Sequence, residues 1–71
     1  MKNQIYARLH PGKIDLLTKL IEAYDHLGIV STLDQNKGLV VIRSTEDSLP
    51  ELEEILHHLL FSIELFFDRP E

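Results

Sequence analysis

Seventy-one residues, 44% of them hydrophobic and 27% charged, predict one small globular domain over residues 1–71, with no room for a second. The absence of cysteine excludes disulfides, zinc ribbons, iron–sulfur clusters and thiol catalysis. A net charge of −5, with the basic residues scattered from Lys2 to Arg69, argues against a nucleic-acid binder, which needs a basic stripe to neutralise phosphates. The N-terminal stretch has no secretory apolar run, and no segment approaches membrane-spanning length. The expectation is a cytoplasmic protein without membrane contact. A chain this short buries only about 60% of the surface that its unfolded form exposes, so partner subunits are the most available source of extra stability.

In chain order, Ile5, Ala7 and Leu9 alternate with Tyr6, Arg8 and His10, the period-2 pattern of a half-buried strand, which stops at Pro11-Gly12. In "KIDLLTKLIEAYDHLG" the apolar residues Ile14, Leu16, Leu17, Leu20, Ile21, Ala23, Tyr24 and Leu27 fill roughly half of a helical wheel, an unusually broad apolar face. Gly28 stands where a left-handed cap would end that helix. "IVSTLD" is rich in β-branched residues and predicts a second strand. "QNKG" predicts a hairpin turn, with Asn36 and Gly38 suited to positive φ, and "LVVIRS" returns as a central third strand. Ser48 and Glu51 read as an S-x-x-E capping box with Pro50 in the first turn. Leu49, Leu52, Ile55, Leu56, Leu59 and Leu60 form the apolar stripe of this second helix. "SIELFFD" closes the chain as a fourth strand.

Strand, helix, strand, strand, helix, strand implies two right-handed crossovers joined by a hairpin. The predicted fold is α+β: a ferredoxin-like βαββαβ two-layer sandwich, its four-stranded antiparallel sheet in the order 4-1-3-2, with both helices on one face. The other face is then left open. Tyr6, Arg8 and His10 should point to it, together with Val30, Thr32 and one set from "SIELFF". Such a mixed surface suits a partner, and Tyr6, Arg8 and Phe66 are its candidate interface residues.

Candidate chemistry is sparse. Each of the four histidines reads most simply as structural or solvated. Adjacent His57 and His58 point about 100° apart on a helix and do not chelate one ion together. Their i,i+4 pairs with Glu53 and Glu54 supply two ligands where a closed metal site needs about four. His26 sits near the end of the first helix, where its charge opposes the dipole favourably. The loop carboxylates Asp34, Glu46 and Asp47 have no reason to be desolvated, and none of the serines has an elbow motif. No phosphate-binding glycine motif occurs. We therefore expect no catalytic residues, no metal and no cofactor. The one loop with site character is His10, Pro11, Gly12, Lys13 and Ile14. A helix N-terminus offers free amides and a partial positive charge to a carboxylate. Equally, Pro11-Gly12 suits a plain strand-to-helix turn.

The stretch "HPGKIDLLTKLIEAYDHLGIVSTL" resembles the ACT family of small regulatory domains: Pro11-Gly12 after the first strand, then aliphatic Ile14, Leu17 and Leu20, then Gly28-Ile29 entering the second strand. The resemblance implies a non-enzymatic βαββαβ module that forms a homodimer and binds an amino acid or similar small ligand. The ligand contacts it implies are His10, Pro11, Gly12, Lys13 and Ile14, with Ile29 and Val30 at the start of the second strand. Where the family carries Asn after Gly-Ile, this chain has Val30. The whole chain also resembles short bacterial proteins grouped as domains of unknown function. The alternative reading is a protein–protein interaction domain that pairs through its open sheet face or an edge strand.

Overall fold

The computed structural model describes residues 3–70. β1 (Gln4–Leu9) leads through a short 3-10 turn (Pro11–Lys13) into α1 (Ile14–Glu22). β2 (Ile29–Asp34) and β3 (Leu39–Arg43) form a hairpin, and α2 (Leu49–His57) precedes β4 (Ile63–Phe66). All strand pairs are antiparallel, in the order β2-β3-β1-β4, the predicted sheet read from its other edge. Both helices lie on the face that carries Ile5, Ala7 and Leu9. There Ile14, Leu17 and Ile21 of α1 and Leu52 and Leu56 of α2 close over Val40 and Ile42 of β3. Each such side chain contributes roughly 1.5–3 kcal/mol when fully removed from water.

Four local expectations change. α1 ends at Glu22, so Gly28 is not its cap. Instead the backbone of Gly28, at φ +154, runs so close to β3 that a Cβ there would lie 2.4 Å from the Arg43 carbonyl oxygen. The chain must leave the helix early to make that approach, and Leu27 reaches the core from the irregular segment between. Second, the hydroxyl of Ser48 makes no capping bond. Thr45 caps this end one turn earlier: its Oγ1 accepts from the Ser48 amide at 3.2 Å, and its carbonyl accepts from the Leu49 amide at 3.0 Å. Ser48 is thereby drawn into helical dihedrals and buried.

Third, β2 has the opposite phase to the one expected. Val30 is opposite Ile42 and packs on the core, and Thr32 shares that side at the sheet margin. Ile29 and Ser31 therefore face away from the helices. The pairing also slips between Thr32 and Asp34, a bulge that twists this edge strand and interrupts its ladder. Fourth, α2 stops at His57, so Leu60 leaves the predicted stripe and is fully exposed. In the β2–β3 turn only Gly38 adopts positive φ, at 68°; Asn36 does not.

Candidate functional site

The loop after β1 is closed upon itself. His10 Nδ1 accepts a hydrogen bond from the Gly12 amide at 3.0 Å. The His10 carbonyl accepts from the Lys13 amide at 2.8 Å, and the Pro11 carbonyl accepts from the Ile14 amide. All three amides that a carboxylate would use are thus held inside the chain. Because it caps the 3-10 turn through Nδ1, a neutral His10 ring carries its proton on Nε2. Ile14 itself belongs to the core; Gly12 and the Lys13 side chain are exposed. Beside this loop lies a shallow cleft of about 280 Å³ between β1 and β4, lined by Arg8, Leu9, His10, Ser62, Ile63 and Glu64.

The residues expected to share a ligand fall into two groups. Leu9, next to His10, is opposite Ile63, and Arg8 is opposite Leu39, at one end of the sheet. Ile29 is opposite Arg43, and Arg43 opposite Gln4, at the other end. The two groups are separated by most of a strand, about 17 Å at a rise of 3.3–3.4 Å per residue. Ile29 and Val30, moreover, point to opposite faces of the sheet. Within one chain, the His10–Ile14 loop and the start of β2 do not meet.

The open sheet face does bring its candidates together. Tyr6 is opposite Phe66, and Arg8 is the diagonal neighbour of Phe66, with its guanidinium carbon 5.4 Å from the ring centroid. That distance is within cation–π range. Gln4 Nε2 donates to the Tyr6 hydroxyl at 2.9 Å, fixing the ring from the other side. Across the same row, Val41 lies between Ser31 and Tyr6, and it is buried although no helix covers it. The half-buried Tyr6, Arg8 and Phe66 thus form a preassembled surface layer, flanked on β2 by Ile29 at 66% exposure. Arg43 donates to the Ser31 hydroxyl beside it.

The helical layer carries a feature that site-by-site reasoning on the sequence missed. The broad apolar face of α1 divides in two. Ile14, Leu17 and Ile21 cover the sheet; Leu16, Leu20 and Tyr24 turn aside towards α2. Opposite them, Ile55, Leu59 and Phe61 complete a groove of about 420 Å³, and Leu60 stands at its mouth. The surplus width of the α1 stripe was the sequence signal for it.

Two of the remaining histidines are locally engaged, and His57 is exposed at the end of α2. His26 Nε2 lies 2.9 Å from Glu51 Oε1, an exposed pair linking the segment after α1 to α2. His58 Nδ1 donates to the Glu54 carbonyl at 2.7 Å, not to its carboxylate. Among the described residues no cluster of three or more His, Asp or Glu is arranged to hold a metal ion, and no helix is long and apolar enough to cross a membrane.

Two helices over one face of a mixed, four-stranded antiparallel surface define a small α+β sandwich domain. The chain belongs to the family described as a domain of unknown function (DUF4911), whose model matches residues 7–63. That span takes in the whole helical layer, the hairpin and the His10–Ile14 loop. No curated protein matches the chain, and no solved structure does.

Proposed function

We propose that this chain is a non-catalytic protein-interaction domain that engages a partner through its open sheet face. The observation that carries the reading is the Tyr6–Arg8–Phe66 cluster. An aromatic pair and a stacked guanidinium already hold one conformation, so little side-chain freedom is left to lose on contact. Tyr and Arg are also the side chains that most often dominate interface energetics. Arg8→Glu and Tyr6→Asp remove the charge and the ring from that layer. In affinity capture with the full chain as bait, both variants should lose the partners that wild type and Gly12→Ala retain, while circular dichroism reports an unchanged fold. Identical partner sets for all four baits reject the reading.

A second reading keeps the ACT-like module and its amino-acid-like ligand, and the cleft beside His10 favours it. Arg8 lines that cleft, and the exposed Lys13 side chain is nearby in the chain. With the Gly12, Lys13 and Ile14 amides engaged, the ligand carboxylate would meet these cationic side chains instead. Occupancy by an amino acid at 100 times its dissociation constant raises stability by about 2.7 kcal/mol, a shift readily seen in thermal melts. Flat melts across the amino acids reject it.

A further inference from the structure

We infer that the groove between α1 and α2 is the seam of a two-fold homodimer, in which Leu60 of each copy enters the groove of the other. The argument goes beyond the sheet-face reading and uses the opposite side of the molecule.

Three observations combine. The first is shape. A fully exposed leucine (103%) stands at the mouth of an apolar groove on the same face of the same chain. A knob beside a hole is self-complementary under a two-fold axis, which brings the same patch of both subunits together. The second is charge. The chain carries −5, so two copies repel in general. Yet no carboxylate lines the groove, and the polar groups among its side chains are the Tyr24 hydroxyl and the His58 ring. Pairing here meets no acid with acid inside the seam.

The third is area. Leu16 and Tyr24 are 50% and 39% exposed, unusually open for side chains on the apolar stripe of a packed helix. Side chains of this size present on the order of 150–250 Å² each when fully open. Together with Leu60 and the partly open Leu20, Ile55 and Phe61, they offer roughly 400–500 Å² of surface per chain, the size of the largest apolar patch on a typical monomer, which is often a functional one. Two such patches reach roughly 1,000 Å² with their rims, the threshold of a specific interface. The area suits a dimer of modest affinity, with a Kd on the order of micromolar.

Leu60→Asp tests this cleanly, because a side chain already fully in water contributes nothing to the monomer fold. Sedimentation equilibrium on the full chain should give about twice the 8.2 kDa chain mass for wild type at 100 µM (about 100 Kd). Leu60→Asp should weaken association at least 100-fold, and Leu16→Lys should do the same, both with unchanged circular dichroism. A wild type that stays monomeric at this concentration overturns the proposal. So does a Leu60→Asp chain whose dissociation constant stays within about tenfold of wild type. If that residual dimer is broken by Tyr6→Asp, the seam lies on the sheet face. A monomeric wild type that takes up an apolar fluorophore in the groove, lost on Leu60→Asp, assigns the groove to a foreign apolar segment instead.

Discussion

Replacing Gly38 with Ala tests the geometry that holds the hairpin against β1. A Cβ at Gly38 would lie 1.7 Å from the Leu9 carbonyl oxygen and 2.9 Å from its carbon, both backbone atoms. Relief requires the β2–β3 turn to withdraw by more than 1 Å, which lengthens the 2.9 Å hydrogen bond from the Leu9 amide to the Gly38 carbonyl. The left-handed φ of 68° adds about 1–2 kcal/mol for any residue with a Cβ. The lost hydrogen bond adds about 0.5–1.5 kcal/mol. The sum, about 1.5–3.5 kcal/mol, is a large fraction of the roughly 4–10 kcal/mol expected for a chain of this size at about 0.05–0.15 kcal/mol per residue. Gly12→Ala is the control. Its Cβ would meet only the His10 ring, at 3.2 and 3.3 Å, and that ring can swing aside. Its effect should be within about 1 kcal/mol. Urea unfolding followed by circular dichroism should lower the Gly38→Ala midpoint by about 2 M at a slope near 1 kcal/mol/M. A shift below about 0.5 M, or equal shifts for the two variants, would refute the close-approach argument.

Thr45→Ala should destabilise by about 1 kcal/mol, the usual loss for a helix cap, while Ser48→Ala should lose less; the reverse order in urea midpoints would restore the capping box. Leu17→Ala, at the centre of the helix–sheet contact, should cost about 2–5 kcal/mol by thermal melts. His26→Ala should cost no more than about 1 kcal/mol and less in high salt, because both members of its pair with Glu51 are half exposed.

The element order and sheet order were legible because each rests on a local period. Ile5, Ala7 and Leu9 repeat every second residue; Leu17, Leu20, Ile21 and Tyr24 repeat on a helical turn. The phase of "IVSTLD" was not, since Ile29 and Leu33 are as apolar as Val30 and the bulge shifts pairing midway. Only the register against β3 decides which side faces the helices. The capping box failed for a related reason. Thr45 offers the same chemistry as Ser48 one turn earlier, and by taking the Ser48 amide it draws Ser48 into helical dihedrals, where its own hydroxyl makes no capping bond. The open-face cluster followed directly from the alternation of β1. The helix groove did not, because the width of the α1 stripe signals surplus apolar surface without saying which residues the sheet leaves over. The Gly12–Ile14 amides looked available because neither the His10 ring, which takes the Gly12 amide, nor the 3-10 turn, whose carbonyls take those of Lys13 and Ile14, could be placed from sequence.

β1 begins at Gln4 and β4 ends at Phe66, diagonal neighbours on adjacent strands, so the polypeptide enters and leaves the sheet within about 8 Å of itself. A short linker joining those points would turn the path into a loop that a new break in another exposed connection could reopen. For the same reason the whole unit is suited to insertion into a surface turn of a larger host, which need not separate its own flanking residues to accept it.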